Sequence, residues 1–325
     1  FPIRKGFFRK IVGHVKAVDG VNFQIRLGET LGLVGESGCG KTTIGRCIVR
    51  AYEPTGGEIL YRGMTSANGD IDLTQLSGVD LKSYRRDIRM IFQDPQASLN
   101  PRMTVFDIIA DPMRFHNMVE HRALESRVAE LLDRVGLRPE YMRRYPHAFS
   151  GGQRQRIGIA RALSLNPSIV VADEAVSALD VSVRAQILNL MIELQREMNL
   201  TYLFISHDLS VVEYIADRVA VMYVGRLVEL APTEQLYRFP RHPYTEALLS
   251  AIPRPDPRLR SKRIVLEGDV ADPANTPSGC FFHPRCAYAQ ERCRVETPPL
   301  RQISEDHSVA CHFTEELELI GTEDD

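Results

Sequence analysis

Residues 35–42 are Gly35-Glu36-Ser37-Gly38-Cys39-Gly40-Lys41-Thr42, which matches the pattern G-x-x-x-x-G-K-[ST]. The stretch lies between an apolar run at 30–34, which predicts a buried strand, and a segment of helical character from Thr42. The glycines let consecutive backbone N–H groups turn inward on phosphate groups, helped by the helix N-terminus. Lys41 supplies a positive charge for the outer phosphates, and Thr42 offers a hydroxyl to Mg²⁺. We therefore predict a nucleotide site that extends through Thr43; the alternative is a plain turn between strand and helix.

A pair of acidic residues follows another predicted strand. Ile169–Ala172 is wholly apolar, as strands of parallel sheets are, and Asp173 and Glu174 come directly after it. This is the edge at which α/β sheets bind ligands. We expect Asp173 to hold Mg²⁺, directly or through water, and Glu174 to orient the attacking water or accept its proton. The alternative is that Asp173 only caps the next element.

Strands and helices alternate along most of the chain, which predicts an α/β fold with a mostly parallel sheet. Apolar and polar residues alternate over 21–27 and predict an early strand, while Ile157–Leu165 predicts a helix. A mainly helical block interrupts the alternation, and prolines accumulate after residue 236. The predicted domains are a core of residues 1–94 and 158–235, an inserted helical subdomain of residues 95–157, and a small irregular C-terminal domain of residues 236–325.

The composition argues against nucleic acid as a ligand and against a membrane-spanning helix. The 325 residues carry 40 Lys and Arg against 42 Asp and Glu, a net charge of −2, so electrostatics give no case for nucleic acid as a ligand. There is no apolar run of about 18 residues, the length that a membrane-spanning helix needs. The sequence begins with Phe1 and not with Met, from which we expect a truncated start. We expect a cytoplasmic chain that reaches a membrane only through a partner.

Four cysteines crowd into the predicted C-terminal domain: Cys280, Cys286, Cys293 and Cys311. In a cytosolic setting such a group favours a metal over disulfides. Four thiolates suit a [4Fe–4S] cluster or tetrahedral zinc, although paired C-x-x-C motifs are absent. Nearby histidines are alternative ligands: His283, His307 and His312. Cys39 in the glycine-rich loop is interpreted as a small buried filler.

Further stretches, taken with the loop at 35–42, resemble the ABC ATPase family, which implies a P-loop NTPase cassette with a RecA-like core. Phe149–Arg156, Phe-Ser-Gly-Gly-Gln-Arg-Gln-Arg, resembles the family's LSGGQ signature with Phe in place of Leu. Gln93, after the predicted strand at 88–92, resembles the Q-loop glutamine. Ser177–Asp180 resembles the D-loop, and His207, after the predicted strand at 202–205, resembles the switch histidine. These elements occur in the family's order across residues 35–208.

The resemblance implies that two cassettes pack head to tail and enclose each ATP between one phosphate loop and the other chain's signature. His207 would contact the γ-phosphate, and Asp180 would couple the two sites. Gln93 would sense Mg²⁺ or water and pass closure to the helical subdomain, which docks on membrane subunits. Phe1 would stack on adenine. The signature residues that would contact the partner's ATP are Ser150, Gly151, Gly152 and Gln153.

One position departs from the family pattern. Ala175 stands where the family often has proline after the catalytic acid. The substitution removes no chemical group, so we still expect ATP hydrolysis with Glu174 as the base.

Arg241-His242-Pro243-Tyr244-Thr245, with Ala247–Leu249 shortly after, resembles the C-terminal extension of oligopeptide and dipeptide importer ATPases, and most of all the second dipeptide-importer subunit. The resemblance implies a peripheral position on the cytoplasmic face of a bacterial or archaeal plasma membrane. It implies as partners a second ATPase subunit (a paralogue or an identical chain), two transmembrane permeases and an extracytoplasmic binding protein. It favours iron–sulfur over zinc at the cysteines. The substrate stays open among dipeptides, oligopeptides, glutathione, nickel complexes and opines.

Two other functions compete with the importer. Soluble ABC ATPases of DNA repair or translation have two cassettes or a long coiled coil, whereas this chain has one cassette and no sustained heptads. A silent regulatory cassette would require the loss of Glu174 or His207, and both are present.

Overall fold

The computed structural model describes residues 1–6, 9–63, 69–253 and 263–322. The chain forms two compact units. Unit 1 comprises Phe1–Gln24, Leu31–Ile44 and Ser206–Asp325, and unit 2 comprises Ile25–Thr30 and Gly45–Ile205. The three domains that the sequence predicts are defined by composition and periodicity, and their boundaries stay a prediction.

The described residues contain the following elements. The strands are β1 Pro2–Lys5, β2 Lys10–His14, β3 Thr30–Val34, β4 Leu60–Tyr61, β5 Ile71–Asp72, β6 Ile88–Ile91, β7 Ile169–Asp173, β8 Thr201–Ile205, β9 Arg218–Tyr223, β10 Arg226–Pro232, β11 Arg301–Ser304 and β12 His307–Val309. The α-helices are α1 Lys41–Ile48, α2 Gly78–Asp87, α3 Pro95–Ser98, α4 Val105–Phe115, α5 Leu124–Arg134, α6 Gly151–Leu163, α7 Val181–Met198, α8 Leu209–Ile215, α9 Thr233–Arg238, α10 Pro243–Ser250 and α11 Glu291–Val295. Short 3-10 helices lie at Leu73–Gln75, His121–Ala123, Pro139–Arg143, Pro146–Ala148 and His283–Arg285.

Unit 1 is built on strands in the order β11-β12-β10-β9-β3. β3 and β9 are parallel, and the other neighbouring pairs are antiparallel. Every residue of β9 is buried, which is why its sequence is a continuous apolar run after Arg218. Three aromatic rings pack together at the end of this strand, two pairs T-shaped and one tilted, with centroids 4.7 to 5.3 Å apart: Tyr223, Tyr244 and Phe282. This aromatic cluster joins the C-terminal region to the strands of the unit.

Unit 2 contains the parallel strands β8, β7 and β6, in that order. β8 is buried at every residue, and β7 is buried at all but its first. The helices α4 and α5 each present one apolar face to the interior, as the spacing of their residues predicts. The buried residues of these helices are Val105, Ile108, Ile109, Ala110, Met113, Leu124, Val128, Leu131 and Leu132.

Two local predictions from the sequence are wrong. Residues 21–27 form no strand, although they are alternately half-buried and exposed up to Arg26, because no neighbouring strand pairs with them in the described structure. The helix predicted from Ile157 begins instead at Gly151. Its start is set by a capping box between Ser150 and Gln153, a polar signal that apolar periodicity does not detect. Across the described residues, none of the helices combines the length and the apolarity that a bilayer crossing requires.

Candidate nucleotide-binding site

The phosphate loop, residues 35–42, connects the buried strand β3 to helix α1 in unit 1. Its backbone needs glycine at two places. Gly35 has φ of 146° and Gly40 has φ of 109°, values that side-chain-bearing residues rarely adopt. A Cβ at Gly35 would meet the carbonyl oxygen of Met222, and one at Gly40 would meet that of Ala17. The strand–loop–helix arrangement that the motif requires is therefore present, with its turn held by close backbone packing.

Lys41 carries the positive charge of the loop. Its Nζ donates hydrogen bonds to the carbonyl oxygens of Gly35 at 2.6 Å and Glu36 at 3.0 Å, and the side chain is buried. Thr42 and Thr43 follow in the first turn of α1. Cys39 is 2% exposed, and burial raises the pKa of its thiol, so it packs as a neutral side chain.

The predicted switch histidine lies in the same unit. His207 is exposed between β8 and α8, directly after the buried Ser206. The N–H of Ser206 donates to the carbonyl oxygen of Leu33 at 3.2 Å, which attaches this segment to the end of β3 where the phosphate loop begins. Phe1 lies in the β1–β2 hairpin, 56% exposed, with its ammonium group 2.7 Å from the carbonyl oxygen of Val15.

The phosphate loop makes contacts with two distant side chains that the sequence patterns did not predict. The N–H of Glu36 donates to the hydroxyl of Tyr244 at 2.8 Å. The carboxylate of Glu36 accepts two hydrogen bonds from Arg285, at 2.7 and 3.0 Å. The sequence motif around Tyr244 marked that residue as structural, and nothing in the local pattern singled out Arg285.

The two predicted acids end β7 in unit 2. Asp173 is 2% exposed and lies opposite Ile205 in the parallel pair β7–β8. Glu174 has φ of 46°, in the left-handed region that costs a non-glycine residue about 1–2 kcal/mol. Its N–H donates to the carbonyl oxygen of Ile205 at 2.9 Å. The backbone therefore leaves the extended strand conformation at Glu174, directly after Asp173.

The structure brings Gln93 and Glu174 together. Gln93 follows β6, the strand that neighbours β7, and its Nε2 donates to Oε2 of Glu174 at 2.7 Å. The two residues are 81 positions apart in the chain. Their contact follows from the parallel register of two strands whose carboxyl ends meet at one edge of the sheet.

The signature residues form the N-terminus of α6. The Ser150 hydroxyl accepts from the N–H of Gln153, whose side chain accepts in return from the N–H of Ser150. Gly152 packs so closely against α7 that a Cβ there would overlap Cγ1 of Val183. Asp180 is exposed at the N-cap of α7, and its side chain makes no cap hydrogen bond.

The four tail cysteines are free thiols within electrostatic reach of one another. Burial, followed by smaller contributions from neighbouring thiols, raises the pKa of Cys286 to about 12 and that of Cys311 to about 11. Even so, the described ranges contain no group of three or more His, Cys, Asp or Glu side chains arranged to hold a metal ion.

The three histidines considered as alternative ligands make other contacts. His283 lies 2.9 Å from the carbonyl oxygen of Cys280, and His312 lies 2.9 Å from that of Glu296. His307 is buried, with its Nε2 2.8 Å from Oε1 of Glu229.

Comparisons with known proteins agree with this fold and these motifs. Residues 18–177 match the family described as ABC transporter, and residues 228–293 match the oligopeptide/dipeptide transporter C-terminal region. The dimeric structure of MJ0796, a bacterial ABC transporter cassette, has 30% sequence identity and a TM-score of 0.59, and covers 67% of this chain and 90% of that one. The same cassette in a post-hydrolysis state with ADP and phosphate gives the same values. The fold is therefore that of an ABC cassette, a P-loop NTPase that hydrolyses ATP, as predicted.

Curated relatives identify the branch of the ABC transporter family to which the chain belongs. The oligopeptide transport ATP-binding protein AppF of Bacillus subtilis is 56% identical over 96% of this chain and 94% of its own length. The dipeptide transport ATP-binding protein DppF of Haemophilus influenzae is 51% identical over 96% of this chain and 93% of its own. The chain belongs to the family of ATP-binding subunits of oligopeptide and dipeptide ABC transporters, which work with membrane permease subunits.

Proposed function

We propose that this chain energises the uptake of dipeptides, oligopeptides or a related small solute, with Glu174 as the base of ATP hydrolysis. The observation that carries the proposal is the 2.7 Å hydrogen bond between Gln93 and Glu174. It holds the carboxylate in place at the end of β7, where we propose that it accepts a proton from an attacking water. A positioned base of this kind is what phosphoryl transfer to water requires from the protein.

The remaining roles follow the chemistry of the side chains. The phosphate loop and Lys41 bind the triphosphate through backbone N–H groups and a point charge. Thr42, Asp173 and Gln93 offer oxygen ligands of the kind that Mg²⁺ prefers. Mg²⁺, when bound, neutralises charge on the phosphate oxygens. His207 contacts the γ-phosphate, and Phe1 stacks on the adenine ring.

A Glu174→Gln variant tests the proposed base. The amide keeps the size and one acceptor oxygen but cannot take a proton, so we expect nucleotide binding to persist while ATP turnover falls by about a hundredfold or more. The matched control is Glu197→Gln, an exposed change on α7, which should leave turnover unchanged. Turnover near the wild-type rate in the Glu174 variant would refute its role.

We propose that two cassettes share each ATP. The supporting feature is the N-terminus of α6, a 13-residue helix whose first N–H groups can receive an anion. Ser150, Gly151, Gly152 and Gln153 would contact the γ-phosphate bound to a partner cassette, and Asp180 would couple the two sites. The partner is a paralogous cassette or a second copy of this chain, and cross-linking of the purified complex distinguishes them.

We propose that the pair docks on two transmembrane permeases at the cytoplasmic face of the plasma membrane, and that an extracytoplasmic binding protein delivers the solute. The similarity to AppF, an oligopeptide transport protein, and to DppF, a dipeptide transport protein, supports peptides as the solute class. Uptake of labelled dipeptides and oligopeptides into ATP-loaded proteoliposomes tests this assembly. Copurification with ribosomes or DNA in place of permeases would refute it.

A [4Fe–4S] cluster at Cys280, Cys286, Cys293 and Cys311, with zinc as the alternative, is a further proposal. Its support is the presence of four free cysteines within one 32-residue segment, a number of thiolates that suits either metal. The described residues hold no preformed metal-ligand group, so no step of ATP hydrolysis is assigned to this metal. Iron, sulfide and zinc analysis of anaerobically purified protein tests the proposal, and a metal-free tail would refute it.

A further inference from the structure

The second residue of the phosphate loop, Glu36, is an acid in a loop that binds a polyanion. We infer that Arg285 and Tyr244, both from the C-terminal region, position the phosphate loop by neutralising the Glu36 carboxylate and holding its backbone N–H. The C-terminal region thereby sets the affinity for ATP. This inference rests on the proposed role of residues 35–42 as the ATP site.

The pair of Arg285 and Glu36 has the geometry of a strong ion pair. Nη1 lies 2.7 Å from Oε2 and Nη2 lies 3.0 Å from Oε1, so the guanidinium holds both carboxylate oxygens in a fork. The Arg285 side chain is 7% exposed and that of Glu36 is 27% exposed, so water screens the interaction only in part. The carboxylate is therefore compensated and held in one orientation.

Tyr244 acts on the backbone of the same residue. Its hydroxyl accepts the N–H of Glu36 at 2.8 Å. Burial raises the pKa of this phenol, so the group stays neutral and adds no negative charge beside the loop. A side chain more than 200 positions away thus fixes the residue that follows Gly35, where the backbone leaves β3.

The aromatic cluster of Tyr223, Tyr244 and Phe282 joins the two contacts into one support. The N–H of Arg285 donates to the carbonyl oxygen of Phe282 at 3.0 Å, and Phe282 is 2% exposed. Arg285 ends the 3-10 helix His283–Arg285, which lies between Cys280 and Cys286. The cysteine-containing segment therefore reaches the phosphate loop directly, through side chains that are themselves packed.

Arg285 compensates the negative charge of Glu36 beside the phosphates of ATP. Without Arg285, an uncompensated carboxylate would remain in the loop and repel the phosphates of ATP. We expect Arg285→Gln to raise the KM for ATP and the Kd of a fluorescent ATP analogue by about tenfold. The kcat should change little, because the repulsion weakens ground-state and transition-state binding alike. The defect should shrink at high ionic strength, since added salt screens the repulsion.

The test is a double-mutant cycle in the full chain assembled with its transporter partners. Glu36→Gln alone supplies the reference KM of the cycle, because it removes the carboxylate and keeps Arg285. In the Glu36→Gln background, the further change Arg285→Gln should alter the KM by less than about twofold, because no carboxylate remains to be compensated. Tyr244→Phe, which keeps the ring and removes the acceptor, should raise the KM by about threefold.

A matched control is available in the same region. Arg292 forms a similar fork with Glu296, at 2.6 and 3.1 Å, but on an exposed helix. Arg292→Gln should leave the KM for ATP unchanged. A double variant that keeps the full defect of Arg285→Gln, or an Arg285→Gln variant with wild-type KM, would overturn the inference while leaving the ATP site in place. A wild-type chain that fails to bind ATP would overturn both.

Discussion

Glu229 connects three segments of the C-terminal region, and its replacement with alanine tests how much these contacts contribute to the free energy of unfolding. The carboxylate is fully buried in β10. It accepts hydrogen bonds from the N–H groups of Arg241 at 2.7 Å and His242 at 3.0 Å. The Nε2 of His307 in β12 lies 2.8 Å from the same carboxyl group. One side chain thus joins β10 to the segment before α10 and to β12.

The loss of unfolding free energy in Glu229→Ala can be estimated from these contacts. Hydrogen bonds to charged groups contribute about 1.5–3 kcal/mol each, and buried donors left without an acceptor add a desolvation cost. The three bonds share one carboxylate and are not additive. We therefore expect Glu229→Ala to lower the free energy of unfolding by about 4 kcal/mol, in the range seen when one partner of a buried pair is removed. For a unit of this size that corresponds to a fall in Tm of about 10 °C.

Thermal unfolding followed by circular dichroism measures the effect. Glu234→Ala is the control, because its carboxylate is exposed and pairs with Arg238 only one helical turn away. The control should change stability by less than about 0.5 kcal/mol. An unchanged Tm for Glu229→Ala, or an equal fall for both variants, would contradict the role given to Glu229.

Two further predictions concern pH and packing. Burial lowers the pKa of His242 to about 3, from the ordinary 6.5, and its Nδ1 caps α10 by accepting the N–H of Tyr244 at 3.1 Å. Because the pKa is lower in the folded chain, the stability that neutral His242 contributes is complete above pH 6.5 and is lost as the pH falls from 6.5 toward 3. The Tm of His242→Asn should therefore depend less on pH over that range, and an identical dependence would contradict the assignment. Gly152→Ala should destabilise the protein by about 1–3 kcal/mol through overlap with Val183, and should lower ATPase activity. The control is Gly158→Ala in the same helix, where an added Cβ would meet open space. This change should leave the free energy of unfolding unchanged or raise it by about 0.5–1 kcal/mol. Equal effects of the two changes on chemical denaturation would show that helix propensity, and not overlap with Val183, determines the effect of Gly152→Ala.

Sequence patterns located the parts of the candidate site whose geometry is local. The phosphate loop needs glycine at Gly35 and Gly40 for backbone reasons that are settled within a few residues. Asp173 and Glu174 follow a wholly apolar strand, and that strand is present as β7. Periodicity failed where the deciding signal was polar or depended on a partner strand, as at the start of α6 and at residues 21–27.

The sequence by itself determined the class of this protein, because its motifs are short runs in which backbone conformation and side-chain chemistry are specified together. The tertiary structure decided which distant side chains act on those motifs. Gln93 meets Glu174 across 81 residues, and Arg285 meets Glu36 across 249. No local pattern encodes such contacts, since they arise only when strands pair in register and a buried aromatic cluster carries the C-terminal region to the phosphate loop.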